Sequence, residues 1–304
     1  MNQTLSNFEI IIFNDASTDN SIQIIETYVK KYPNLIKFID SERNVKIGAA
    51  RNAAIRIAEG EYIGFVDSDD WISNTMFEKL YMEAVSNNLD IAECNLKKVY
   101  EDSAHNSFVI NEISYRSSKS PAICDYFIKP GYIVTKLFKT SFIKLHSIAF
   151  PEDIYYEDIP TLLQCFPYTP RIGYIDEILY YYLQRGDSIT AYNEMNVIDR
   201  KHAAEFIITQ YKQRGLFEKY YREIEYIISS FFYLRTLVTI PVQFTKYVKL
   251  TLTESREFIL HHFPHYLENQ YFLKAIGMNK RMLVILNAID PYFLLAYKLI
   301  RRLF

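Results

Sequence analysis

The chain has 304 residues, 49% of them hydrophobic and 23% charged, with a formal net charge of −2; this balance suits a globular protein and excludes fibrous and disordered classes. The length exceeds one small core and fits an α/β domain followed by a helical appendage, 1–190 and 191–304. Charge is uneven, with 18 Lys and Arg against 26 Asp and Glu up to residue 190 and 16 against 10 beyond it, so the acidic part suits metal-assisted chemistry and the basic, aromatic part suits anionic lipid or phosphate, with no nucleic acid expected.

Residues 8–13, FEIIIF, form an apolar run closed by Asn14 and Asp15, as expected of a buried parallel strand with polar groups at its C-terminal edge. A helix should follow, capped by Ser17 or Thr18, striped by Ile22, Ile25 and Val29, and stopped at Pro33. IKFI at 36–39 reads as a short strand, and the Ala-rich stretch 47–59 as a helix stopped by Gly60. EYIGFV at 61–66 is another buried strand, running directly into Asp67-Ser68-Asp69-Asp70. Thr75 and Glu78 have capping-box spacing for a helix to about Asn87, and DIAECNL at 90–96 is the next strand. Strands and helices alternating in this way predict a parallel sheet covered on both faces.

From 100 to 135 the pattern fades into Ser-, Asn- and Lys-rich stretches, expected to be a variable loop with one short helix near 120–128. Strands are expected near 132–138 and at 178–183, with a helix at 159–166 between them. Beyond 195 apolar residues recur at three- and four-residue steps, predicting successive helices broken near Pro241, Pro264, Gly277 and Pro291. In the last segment Lys298, Arg301 and Arg302 share a helical face opposite Tyr292, Phe293, Leu295, Leu299, Leu303 and Phe304, a pattern of an interfacial membrane helix or of packing against another subunit or the catalytic domain. Cys94, Cys124 and Cys165 are too scattered for a zinc site or a disulfide framework and point to a reducing compartment. No basic-then-apolar leader opens the sequence and no apolar run reaches the 18 or so residues a membrane span needs, so a cytoplasmic protein, soluble or peripheral on the inner face of the plasma membrane, is expected.

Three carboxylates in four residues after a buried strand repel one another, and a divalent cation held by hard oxygens relieves them. The alternative is a solvated acidic turn capping the next helix. A second acidic segment, FNDASTDNS, ends the first strand, so two strand ends supply carboxylates to the edge where parallel sheets bind ligands. FNDASTDNS resembles the nucleotide-recognition segment of glycosyltransferase family 2, Asn44 through Gly48, Arg51 and Asn52 resemble its next motif, and EYIGFVDSDDW resembles its metal-binding motif. FPEDIYYEDIP at 150–160 looks like its Glu-Asp motif, and YYYLQRGDSIT at 180–190 like its closing segment.

The resemblance implies the GT-A fold, a nucleotide-diphospho-sugar-binding α/β architecture with a Rossmann-like, mostly parallel sheet, followed by a helical region. It implies an inverting hexosyl- or N-acetylhexosaminyl-transferase that uses Mg²⁺ or Mn²⁺ and moves a sugar, from UDP in the usual case, to a lipid-linked or protein-linked glycan of the cell surface. Carried over by position, Asp15 bonds the nucleobase with Asn14 beside it, Asp67 or Ser68 touches the ribose, Asp69 ligates the metal and Asp70 supports it in the metal shell. Asp158 becomes the general base and Glu157 its neighbour, the alternative being that both cap the helix at 159–166. Lys136, Arg185 and Ser188 fall at donor-binding positions, and Arg51 is a guanidinium reaching phosphate or a neighbouring carboxylate, the alternative being a surface salt bridge on a helix of small residues; Asn52 can bond backbone in its own turn. Two departures from the family pattern are Asn14, where an aspartate is common, and Ala16, where glycine is usual and the backbone must tolerate Cβ.

Family members open with a further strand and helix before the equivalent of Asn2-Gln3-Thr4, so the N-terminal part of the fold is expected to be short here. That shortness supports a rival reading, a non-catalytic GT-A partner or scaffold acting through its helices or as a homo-oligomer. A nucleotidyltransferase would need a Gly-rich, Lys-bearing phosphate loop, which the sequence lacks.

Overall fold

The structure is a computed structural model that describes residues 2–102, 107–114, 123–184, 194–237 and 248–275. Arg185, Ser188 and the C-terminal amphipathic segment lie outside the described residues. Two compact units are present, one built from residues 1–123 and 130–188, the other from 124–129 and 189–304.

The first unit begins with β1 (Ile10–Asn14), α1 (Ser21–Lys31) and β2 (Ile36–Asp40), with β1 and β2 paired in parallel, Ile10 opposite Ile36. Next come α2 (Lys46–Ile57), β3 (Tyr62–Gly64), β4 (Trp71–Ile72), α3 (Met76–Ser86) and β5 (Ile91–Asp102). The second sheet has the order β3-β7-β5-β8-β4, where β7 is Lys136–Lys139 and β8 is Ile172–Gln184. β6 (Ser107–Ser114) pairs with the far end of β5.

Within this second sheet only β5 and β8 run parallel, whereas β3 with β7, β5 with β7, β4 with β8 and β5 with β6 are antiparallel. The α/β class therefore holds, but the sheet is mixed, not mostly parallel. β5 is its centre: Ile91, Ala92 and Leu96 are fully buried, as expected of a strand covered on both faces. α3 lays Met76, Leu80 and Ala84, one residue per turn, onto this sheet, and all three are fully buried.

Local details depart from expectation in several places: α1 is preceded by Asn20 with no side-chain cap, not capped by Ser17 or Thr18, and β1 and β3 are half-buried where buried strands were expected. Thr75 makes no side-chain cap bond, and Glu78 instead accepts from the Thr4 hydroxyl at 2.5 Å, so the capping box does not form. α2 ends with Ala58 in an extended conformation, and Gly60 is a turn residue beyond it, not a left-handed stop. The stretch read as a variable loop contains β6 as well as the short helix α4 (Ile123–Ile128).

After β7 the unit continues through α5 (Thr140–Leu145) and α6 (Asp158–Cys165). The second unit holds α7 (Glu194–Gln213), α8 (Tyr221–Ile227) running into a π-helix at Ile228–Leu234, α9 (Val248–His262) and α10 (Gln270–Ala275). Its core is aromatic: Phe127 stacks on Tyr220 at 5.2 Å, and Tyr211, Phe263, Tyr266 and Phe272 are fully buried. No described helix is long and apolar enough to cross a membrane.

Candidate functional site

The site is organised by one face of α2. Gly48, Arg51 and Asn52 stand at helical spacing, and each engages a different part of the segment 150–157. A Cβ on Gly48 would lie 2.1 Å from the Pro151 carbonyl oxygen, so only glycine lets the helix approach this closely. Asn52 Nδ2 donates to the Phe150 carbonyl and its Oδ1 accepts from the Phe150 amide, both at 2.9 Å, while Nδ2 also reaches Glu152 Oε1. This residue bonds backbone 98 positions away, not backbone in its own turn.

Arg51 is the joint of the site. One guanidinium nitrogen donates to Asp67 Oδ1 at 2.8 Å and the other to Glu157 Oε1 at 2.7 Å. Its planar group lies 5.6 and 5.3 Å from the ring centres of Phe65 and Phe150. Of the two readings open from the sequence, a guanidinium reaching phosphate or a neighbouring carboxylate and a surface salt bridge, the buried Arg51 fits the first, holding two carboxylates at once.

The loop leading to Glu157 holds Asp153 and Tyr156 at φ of 62° and 65°, left-handed conformations that cost a non-glycine residue free energy. Lys46, itself at φ 63°, donates to the Asp153 carbonyl and lies 5.2 Å over the Tyr155 ring. Glu157 precedes α6 but makes no cap bond, since its carboxylate goes to Arg51; Asp158 Oδ1 accepts from the Ile159 amide at 2.7 Å. Burial, then the charge of Asp158, pushes the Glu157 carboxyl up to about 7. Burial also raises Asp158, against the opposing pull of the Ile159 amide and Arg51.

At the end of β3 the acidic segment is a tight turn in which the Asp70 amide donates to the Asp67 carbonyl at 3.1 Å. Its two corners, Ser68 and Asp69, are exposed. Asp70 has both carboxylate oxygens engaged, one by the Tyr180 hydroxyl at 2.6 Å and the other by the Leu183 amide at 2.8 Å. Burial pushes its carboxyl up to about 6, against those two bonds. Asp70 thus acts as a strut of the turn, with both carboxylate oxygens committed inside the protein.

Of the three aspartates in the turn, only Asp69 has a side chain with no hydrogen bond among the described residues. No group of three or more His, Cys, Asp or Glu able to hold a metal occurs among those residues. Mg²⁺ or Mn²⁺ nevertheless fits this turn, because such an ion takes one or two carboxylates and completes its shell with substrate phosphates and water. Asp69 is the uncommitted hard oxygen donor that this arrangement requires.

Around the other strand end, Asp15 Oδ1 accepts from the Val45 amide at 2.6 Å, just before α2. The following Ala16 sits at φ 57°, the left-handed conformation for which glycine is suited. Asn14 is buried, and its amide is used at both ends: Nδ2 donates to Asp40 at 2.7 Å and Oδ1 accepts from the Ser17 amide at 3.3 Å. Asn14 therefore braces β1 to β2 where a base contact was expected. Lys136 is wholly buried, its ammonium 2.9 Å from Glu93 Oε1 and 2.9 Å from the Tyr132 carbonyl, so it is an internal ion pair where a donor contact was expected.

Residues 1–140 match Glycosyl transferase family 2. The uncharacterized glycosyltransferase EpsJ of Bacillus subtilis strain 168 is 31% identical over 229 residues, covering 73% of this chain and 64% of that protein. The poly(ribitol-phosphate) beta-glucosyltransferase of Bacillus spizizenii is 33% identical over 190 residues, 62% of this chain and 29% of its own length. The chain thus spans less than two thirds of either relative. Among solved structures, S. aureus TarS 1–349 superposes with a TM-score of 0.67 at 19% identity, covering 97% of this chain and 83% of that one. The same fragment in complex with UDP-GlcNAc gives 0.62 at 21% identity, over 97% and 84%. At these identities the likeness is one of fold.

Proposed function

The chain is a member of glycosyltransferase family 2, and from that premise we propose that it is an inverting transferase moving a sugar from a UDP-sugar to a glycan acceptor of the cell surface. The observation that carries this reading is the Arg51 bridge, which ties the acidic turn at Asp67 to the Glu157-Asp158 pair and so sets donor-side and acceptor-side carboxylates on one frame. Asp158 is the general base. Burial raises its pKa above the ordinary carboxylate value, which makes its carboxylate a stronger proton acceptor. The acceptor hydroxyl gives its proton to the Asp158 carboxylate as its oxygen forms a bond to the anomeric carbon. The bond from that carbon to the diphosphate breaks on the opposite face, and the electron pair leaves with UDP, inverting the centre.

A Mg²⁺ or Mn²⁺ held at Asp69 supplies charge neutralisation for the diphosphate, which makes a separate acid unnecessary. Asp15 takes the nucleobase, and Asp67 or Ser68 the ribose. Two relatives support the donor and acceptor classes, the TarS fragment solved with UDP-GlcNAc and the glucosyltransferase acting on poly(ribitol-phosphate). The reading includes a lipid-linked or protein-linked acceptor met at the cytoplasmic face of the membrane.

Isothermal titration of UDP with Mn²⁺ into wild type and Asp69→Ala tests the reading. Binding to wild type at least tenfold tighter than to the variant is expected, for a lost metal carboxylate; equal affinities would remove the metal role, and no binding to either would favour the scaffold reading.

A further inference from the structure

The acidic turn is not self-supporting. Its corners project into solvent, and within the turn only the bond from the Asp70 amide to the Asp67 carbonyl closes it. Outside it, Arg51 holds the Asp67 carboxylate from α2, and the remaining support comes from β8, whose Tyr180 lies 110 residues beyond Asp70. There the fully buried Tyr180 places one hydroxyl between the two ends of the turn: it accepts from the Asp67 amide at 3.2 Å and donates to Asp70 Oδ2 at 2.6 Å. Leu183 adds its amide to the other Asp70 oxygen. Immediately after the turn, Trp71 and Ile72 pair with Tyr181 and Tyr180, and the Trp71 ring stacks on Tyr181 at 5.8 Å with 7° between planes.

We propose that Tyr180 is a positioning residue for the donor and its metal: its hydroxyl spans Asp67 and Asp70 and thereby holds the intervening Asp69 carboxylate and Ser68 in the geometry that grips a metal-bound diphosphate. The proposal rests on the transferase reading above. A tyrosine is required because one hydroxyl must both donate and accept, on the end of a rigid side chain long enough to reach across from a neighbouring strand. Phenylalanine fills the same volume and does neither. With it, the Asp67 amide loses its acceptor and the half-buried Asp70 carboxylate keeps one donor of two, so the turn can open without any loss of packing.

The test is calorimetric binding of UDP, with Mn²⁺ and separately with EDTA, to wild type, Tyr180→Phe, Asp70→Asn and the double variant, with a thermal melt of each. Loss of a hydrogen bond to a charged group predicts roughly tenfold weaker Mn²⁺-dependent UDP binding in Tyr180→Phe, with little change in EDTA. Because Tyr180 acts through Asp70, the double variant should bind no more weakly than the worse single one. Should Tyr180→Phe lower the melting temperature and bind Mn²⁺ and UDP like wild type, the residue is structural only and the proposal is overturned. An equal loss with and without Mn²⁺ overturns it as well. If Tyr180→Phe does not fold, Asp70→Asn cuts the same brace from its other end and is judged by the same two comparisons. Failure of wild type itself to bind UDP with Mn²⁺ would sink the transferase reading, a result separable from a variant that merely matches wild type.

Discussion

Replacing Arg51 with Met removes the guanidinium but keeps an apolar chain between Phe65 and Phe150. Two carboxylates then lose their cation, and their burial decides what each loss costs. Asp67 is 33% exposed, so water screens it and its share is about 0–1 kcal/mol. Glu157 is 10% exposed, and stranding a buried charge costs about 3–5 kcal/mol. The cost must depend on pH. In the wild type the Glu157 carboxyl is already raised from 4.5 to about 7, so the folded chain keeps a proton that the unfolded chain releases, and stability from this group falls as pH rises through that window. Without Arg51 the carboxyl rises further, which widens the window upward. At pH 5.5 Glu157 is neutral in both proteins and the variant should lose only the hydrogen bonds and ring contacts, about 1–2 kcal/mol. At pH 8.5 the loss should approach the full 3–5 kcal/mol. Urea unfolding followed by the fluorescence of Trp71, the sole tryptophan, reports on this unit directly. Equal losses at the two pH values, or a smaller loss at the higher one, would refute the account. Arg51→Lys should fail to restore stability, since one ammonium cannot reproduce a fork that reaches two carboxylates.

Asp158→Asn should cut transfer by about 10²- to 10⁴-fold while leaving UDP affinity within about twofold of wild type; a loss of UDP binding in step with transfer, read by calorimetry beside a UDP-release assay, would move Asp158 out of the base role. Ala16→Gly should raise unfolding free energy by about 0.5–1 kcal/mol, because the strain of a left-handed alanine slightly exceeds the chain entropy glycine adds to the unfolded state. Urea titration measures it, and a net loss of stability would show that the turn after β1 is not strained.

The helices and strands flanking the acidic segments were legible because each is a local pattern: IIIF before Asn14, an Ala-rich stretch around Arg51, apolar residues before Asp67. Strand direction was not, because polarity along a strand is unrelated to its side-chain pattern; β7 and β3 read alike in either orientation. β6 was hidden within a polar stretch and is defined by its register against β5, Lys97 opposite Ile113. The acidic residues could be found as candidates, but the divisions among them could not. Asp69 and Asp70 are neighbours of identical chemistry, and only Tyr180 and the Leu183 amide distinguish the projecting carboxylate from the anchored one. Tyr180 itself sits in a run of three tyrosines with nothing to mark it. Lys136 illustrates the opposite error, a cation at a matched position whose partner, Glu93, comes from the adjacent strand.

The Arg51 bridge and the Tyr180 brace both cross residue 140, the end of the stretch matched to the family. A chimera that exchanges residues 1–140 with those of a relative would transplant Asp15, Arg51 and the Asp67–Asp70 turn away from Glu157, Asp158 and Tyr180. Moving this site between relatives therefore calls for a cut after β8, so that the recipient inherits the struts together with the carboxylates they hold.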